Sequence, residues 1–207
     1  MPPSMKVLFF GLTGFGNKVL EALFAESCQV EFIFTRAEKG PYPYYPEENL
    51  STYAKRKKMM VKEKFEWDEV EDIIKGNHHD LLLVATFHRI IPRRIISLVP
   101  LCVNIHPSLL PKYRGPTPIA WALFNGEKET GVTAHFLTER LDSGSILIQR
   151  KITIMDGDDE NTLRRKLAVL AGEVSRDLIS QIRSNLLMPC PQKEEDATIF
   201  PSFKRRP

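Results

Sequence analysis

The sequence is short of cysteine, of net charge and of long apolar runs, and each shortage removes a class of protein. Three cysteines occur among 207 residues (Cys28, Cys102, Cys190), far apart and never as Cys-x-x-Cys. That usage argues against a disulfide framework or a structural zinc site and suits a reducing compartment. Cys102, inside LVPLCVNI, reads as a small buried hydrophobe. Twenty-nine basic against 26 acidic residues leave a formal charge of +3, which neither demands nor excludes a nucleic-acid partner. No apolar run approaches the roughly 18–20 residues that cross a bilayer, and MPPSMKVLFF lacks the layout of a signal peptide. The expectation is a cytoplasmic, soluble protein with no membrane partner.

What is present is an alternation of apolar runs and amphipathic segments, with 43% hydrophobic residues, enough for one domain with a sizeable core. KVLFF (6–10), VEFIF (30–34), a short run near MMV (59–61), LLLVA (81–85) and LCVNI (101–105) read as strands. LLLVA and LCVNI lack polar alternation, as strands covered on both faces do. GVTAHFL (131–137) and SILIQRKITI (145–154) are two further strands. Helices are expected at NKVLEALFA, LSTYAKRKK, WDEVEDIIKG and TPIAWALFNG, and over about 161–184, where Leu163, Leu167, Leu170, Val174, Leu178 and Ile182 share a face. The fold class expected is α/β: a Rossmann-like, mainly parallel sheet with helices on both faces. Ligands of such sheets bind beyond the carboxyl ends of the strands.

NIHPSLLPKYRG (104–115) begins at one of those ends. In an extended segment Asn104 and His106 point the same way, and Pro107, Pro111 and Pro116 stiffen the loop beyond them. An amide beside an imidazole suits acyl chemistry: the amide can hold an oxyanion while the imidazole carries a proton. Spacing alone equally allows a strand end where Asn104 caps backbone groups and His106 is an ordinary surface residue. RLDSGSILI (140–148) offers Asp142, which can raise and orient a nearby imidazole or can be a solvated turn residue.

The stretch NIHPSLLPKYRGPTPIAWALFNGEKETGVTAHFLTERLDSGSILIQ resembles the catalytic half of formyltransferases that use 10-formyltetrahydrofolate. Asn-x-His-Pro-Ser-Leu-Leu-Pro, Tyr-Arg-Gly, Gly-Val-Thr-x-His and Asp-x-Gly-x-Ile occur in that family's order. The resemblance implies a formyltransferase fold over residues 5–187, followed by an irregular tail, 188–207, as the start of a further region. It also implies Asn104, His106 and Asp142 as catalytic residues, with a protonated His106 beside Asn104 on the oxyanion and Asp142 orienting His106. The formyl donor would be 10-formyltetrahydrofolate, with no metal. Phe87, His88, Arg89, Ile90 and Ile91, together with Leu141 and Gly144, would wall the folate site. His135 is assigned as a lining or structural residue.

The amine acceptor is less sharply written. Gly14, Gly16 and Asn17 in GLTGFGN are assigned to it, because a helix amino end there can hold a phosphate, and Arg114 and Gly115 are assigned with them. The turn is not the dinucleotide fingerprint, although Arg36 keeps an NADP-binding module as an outside reading. Tyr42, Tyr44 and Tyr45 can stack on a base or sugar, or pack on their own domain. KRKK (55–58) and FKRRP (203–207) read as solvated basic faces. A nucleotide-linked amino sugar is the first expectation for the acceptor. The alternatives are the catalytic domain of a methionyl-tRNA formyltransferase, a glycinamide ribonucleotide formyltransferase, and a non-catalytic folate- or nucleotide-binding module. A tRNA partner would require a further domain, and a homodimer is compatible with the family.

Overall fold

In the computed structural model, which describes residues 4–38 and 48–203, seven strands form one sheet. They are β1 (Lys6–Gly11), β2 (Gln29–Phe34), β3 (Met60–Lys62), β4 (Leu81–Ala85), β5 (Leu101–His106), β6 (Glu129–Phe136) and β7 (Ile146–Thr153). Their order is β3-β2-β1-β4-β5-β6-β7. The first five are parallel, whereas β6 and β7 join by antiparallel pairing. The helices are α1 (Phe15–Ala25), α2 (Leu50–Arg56), α3 (Trp67–Gly76), α4 (Arg93–Ile96), α5 (Pro118–Phe124) and α6 (Glu160–Arg183). The expected mainly parallel sheet is present, with every expected strand in place. Only α4 lacks a counterpart in the sequence reading, since a four-residue helix shows no periodicity.

Strand alternation divides the apolar side chains between two layers. Val7 and Phe9 of β1, Leu81, Leu83 and Ala85 of β4, and Val103 and Ile105 of β5 share a core with α1 and α6. Leu8, Phe10, Leu82, Val84 and Cys102 face the other way, against Val70 and Ile74 of α3 and Ile95 of α4. Burial on both sides is what lets these strands be apolar at successive positions. The long helix α6 starts at a reciprocal cap: Asp159 accepts from the Thr162 N–H at 2.7 Å, and Thr162 Oγ1 accepts from the Asp159 N–H at 2.8 Å.

The tail carries one short 3-10 turn, Glu194–Asp196, and is bound to the domain. Cys190 pairs with Ile146 at the edge of β7, and Ile199 pairs with Arg114. Phe200 stacks on Tyr113 at 5.2 Å and lies 4.7 Å from Trp121, while Phe203 packs on Trp121 at 4.9 Å. Residues 190–203 therefore cross the loop that leaves β5.

Candidate active site

Asn104 and His106 end β5 on the face opposite Val103 and Ile105. Antiparallel pairing with β6 sets His135 opposite Asn104 and Thr133 opposite His106. The turn between β6 and β7 then folds back and delivers Asp142. The carboxylate lies between two imidazoles: Oδ2 is 3.6 Å from His106 Nδ1, and Oδ1 is 3.6 Å from His135 Nε2. The Gly115 N–H donates to Oδ2 at 2.9 Å, and Asn104 Nδ2 reaches Oδ1 at 3.3 Å. The structure thus brings together Asn104, His106 and Asp142, and adds as direct neighbours Gly115, which the sequence reading assigned to the acceptor, and His135.

The carbonyl partners fix how these groups carry hydrogen. His106 Nε2 lies 2.9 Å from the Tyr113 carbonyl, so that nitrogen is the donor and Nδ1 is left facing Asp142. His135 Nδ1 donates to the Phe136 carbonyl at 2.8 Å, which leaves Nε2 to accept from Asn104 Nδ2 at 3.1 Å. Both Asn104 N–H groups are then engaged, one by His135 and one by Asp142. An oxyanion held by Asn104 must displace one of them.

Burial lowers the pKa of His106 because its ring is enclosed; Asp142 pulls the other way and His135 adds to the lowering. The expectation that Asp142 raises the imidazole is corrected in its net result: the aspartate acts in that sense, but desolvation outweighs it. For Asp142 itself, burial works to raise the carboxyl. The charge of His106 and the Gly115 N–H act against that, and the carboxyl is held well below the usual carboxylate range.

Two glycines make the close approach feasible. A Cβ on Gly144 would lie 1.9 Å from the Phe136 carbonyl oxygen, and one on Gly115, at φ 118°, would lie 2.3 Å from that of Phe200. Arg114, expected to meet the acceptor, is only 1% exposed and turns into the tail. Its guanidinium donates to Gln192 Oε1 and to both Glu194 carboxylate oxygens at 2.9–3.2 Å. Gln192, Glu194 and Tyr113 are functional neighbours that sequence reasoning misses. The contacts of Gln192 and Glu194 span 48 to 80 residues, and Tyr113 meets His106 through a backbone carbonyl, so none leaves a local pattern.

The turn after β1 is also occupied by the chain itself. Asn17 is fully buried; it accepts from the Gly14 N–H at 3.0 Å and donates to the Glu48 carbonyl at 3.1 Å. A Cβ on Gly16 would lie 2.7 Å from a Leu50 methyl. The Thr13 N–H donates to Glu38 Oε2 at 3.2 Å, so a carboxylate sits where a phosphate was expected. Arg36 pairs with that same Glu38 at 3.2 Å rather than standing free for a 2′-phosphate. Tyr42, Tyr44 and Tyr45, and residues 204–207, lie outside the described residues.

On the proposed donor side, Phe87 packs on Phe10 at 5.3 Å, and Ile91 is in the core. Arg89 turns back over Trp67 and Phe65, 4.6 and 4.9 Å from the ring centres, and donates to the Phe65 carbonyl. Of the residues assigned to the donor, His88, Ile90 (76% exposed) and Leu141 (49%) are the exposed ones. A cleft of about 560 Å³ opens between α4 and the β6–β7 turn, lined by Arg93, Ile96, Ser97, Thr138, Arg140 and Ser143 among others. That volume suits a ligand of folate size. Its lining comes from one of the two expected loops and from α4, not from 87–91. Among the described residues no helix is long and apolar enough to cross a membrane, and no group of three or more His, Cys, Asp or Glu is set to hold a metal ion.

A sequence profile described as "Formyl transferase" matches residues 5–178. The methionyl-tRNA formyltransferase of Caldanaerobacter subterraneus subsp. tengcongensis is 34% identical over 95% of this chain and 66% of its own length. The chain spans about two thirds of the length of such curated relatives. Among solved structures, the N-formyltransferase from Helicobacter canadensis, in complex with folinic acid and dTDP-3-aminofucose, superposes with a TM-score of 0.76 at 19% identity, covering 96% of this chain and 71% of that one. Glycinamide ribonucleotide transformylase 1 from Symbiobacterium toebii gives 0.77 at 19% identity, covering 93% and 96%. At such identities the solved structures speak for the fold.

Proposed function

The chain belongs to the formyl transferase family, and from that premise we propose that it transfers a formyl group from 10-formyltetrahydrofolate to a primary amine, residues 5–187 forming the catalytic unit. The observation that carries the reading is the convergence of Asn104, His106 and Asp142 at one strand end. The donor supplies an activated formyl carbon. As the amine attacks that carbon, charge develops on the formyl oxygen. His106 in its charged form, with one Asn104 N–H released from Asp142 or His135, stabilises that oxygen. The ionised Asp142 favours the imidazolium at that moment and guides the amine proton, through water, to the folate nitrogen that leaves. The donor ring lies between the backbone of 86–92 and that of 137–144, with Ile90, Leu141 and the cleft beside α4 open to it.

For the acceptor, the 34% identity to enzymes named methionyl-tRNA formyltransferases favours methionyl-tRNA over the nucleotide-linked amino sugar expected first. Glu38 on the Thr13 N–H argues against an acceptor phosphate at the β1–α1 turn. The test is incubation with 10-formyltetrahydrofolate and methionyl-tRNA, several nucleotide-linked amino sugars and glycinamide ribonucleotide, with products read by mass spectrometry. Formyl-methionyl-tRNA, absent with H106A, is the expected result. Transfer to a sugar alone overturns the acceptor, and donor binding without transfer to any amine overturns the reaction.

A further inference from the structure

We propose that Gln192 is a positioning residue of this site: its side-chain amide ties the Asp142 turn to the loop after β5 and sets where the Asp142 carboxylate points. The proposal rests on the formyl-transfer reading for its kinetic consequence and on hydrogen-bond geometry for the rest.

The Gln192 amide uses all its hydrogen-bonding positions. Nε2 donates to the carbonyls of Asp142 (2.9 Å) and Gly144 (2.7 Å), and Oε1 accepts from Arg114 Nε (3.1 Å) and Nη2 (2.9 Å). These contacts bracket one critical bond. Asp142 lies on one side of it, and on the other is Gly115, which comes directly after Arg114 and donates its N–H to Asp142 Oδ2. The turn needs an outside hold. Asp142 is at φ 48°, a left-handed backbone that a residue with a side chain adopts reluctantly. Inside the turn the Arg140 carbonyl accepts from the Thr138 and Ser143 hydroxyls at 2.9 and 3.0 Å and from the Ser143 N–H only at 3.4 Å, bonds that do not reach the Asp142 or Gly144 carbonyl. Gln192 instead fastens the carbonyls on both sides of Ser143.

The consequence runs to His106 through Asp142. The groups that face His106 are Asp142 from the β6–β7 turn, His135 from β6 and the Tyr113 carbonyl from its own loop. Asp142 faces Asn104, His106, His135 and Gly115, while Arg114, Arg140 and Glu194 lie on the outer side of the turn. A turn freed from Gln192 lets the carboxylate drift from His106, and displacements of about 1 Å in such sites cost up to ~100-fold.

The test compares Q192L, which keeps size and loses every polar contact, with F203A, which loosens the tail against Trp121 and leaves Gln192 alone. Q192L is expected to lower kcat about 10-fold with donor KM held within about twofold, and to move the ring ¹⁵N signals of His106. F203A is expected to do neither. Equal kinetic losses in Q192L and F203A at equal melting temperature, or unchanged His106 signals in Q192L, overturn the proposal. Should Q192L not fold, Q192E, which keeps an acceptor for Arg114 and loses the two donations, is expected to move the same signals. If the wild-type protein transfers formyl to no amine, the functional reading alone fails, and the His106 signals still decide the role of Gln192.

Discussion

The loops that leave β4 and β5 start from neighbouring parallel strands and each carries an arginine, yet they are built in opposite ways. Residues 86–92 are held by side chains that reach backward: Phe87 into the aromatic cluster, Ile91 into the core, and Arg89 across Phe65 and Trp67. Residues 107–115 are held from outside, by a tail almost eighty residues further on that grips Arg114 and backs Gly115. The first arrangement leaves His88 and Ile90 exposed, which suits the donor wall proposed above. The second leaves almost no freedom, as groups that must meet a developing charge require. Under the proposed function, their neighbourhood would put the donor wall and the charge-handling groups side by side.

The sharpest way to break this contrast is to remove the imidazole in the first loop and the one at the strand end that leads into the second. H106A is expected to lower transfer at least ~100-fold, about 2.7 kcal/mol of barrier, with donor binding retained. H88A should stay within about twofold. Wild-type turnover in H106A would dissolve the distinction.

Removing the arginines should separate stability in the same way. R114L leaves Glu194 and Gln192 without their buried partner and should cost about 2–3 kcal/mol, discounted from the fully buried case because Glu194 is half-exposed. R89L loses ring stacking and one carbonyl contact and should cost about 1 kcal/mol. Urea midpoints at constant m report both, and equal losses would show that the tail adds no hold of its own.

The smallest effect is one of pH. Asp142 is held below its unfolded value, so its stabilisation is present above about pH 4 and fades as pH falls through the folded value. His106 is also lowered, so protonation favours the unfolded chain below about pH 6.5. Both act in one direction, and the melting temperature should fall from about pH 6 downward. D142N should flatten the low-pH end of that curve and shift the pH optimum of transfer. An unchanged pair of profiles would separate Asp142 from His106.

The two loops are also unequally legible in the sequence. LLLVA and LCVNI name their strands because burial on both faces demands unbroken apolar runs, and Asn104 and His106 declare a common face through strand alternation. Asp142 is told from a solvated turn residue only through resemblance, since φ 48° and the fold-back of its turn have no periodic signature. An arginine in a loop is usually exposed, which points Arg114 toward the acceptor. What reverses it, Gln192 and Glu194, lies in a segment whose Pro-rich, charged composition signals only irregular backbone. The occupancy of the turn at Gly14–Asn17 is hidden for a similar reason: Glu38 reaches the neighbouring Thr13 N–H through space.

Bound as it is across the mouth of the domain, the segment from Cys190 to Phe203 also imposes an order on assembly. Chains are made from the amino end, and the first five strands can pair as they emerge. The bonds that lock Arg114 and the Asp142 turn wait for residues synthesised near position 200. A nascent chain can therefore pair its first strands before the bonds that hold Arg114 and the Asp142 turn are able to form.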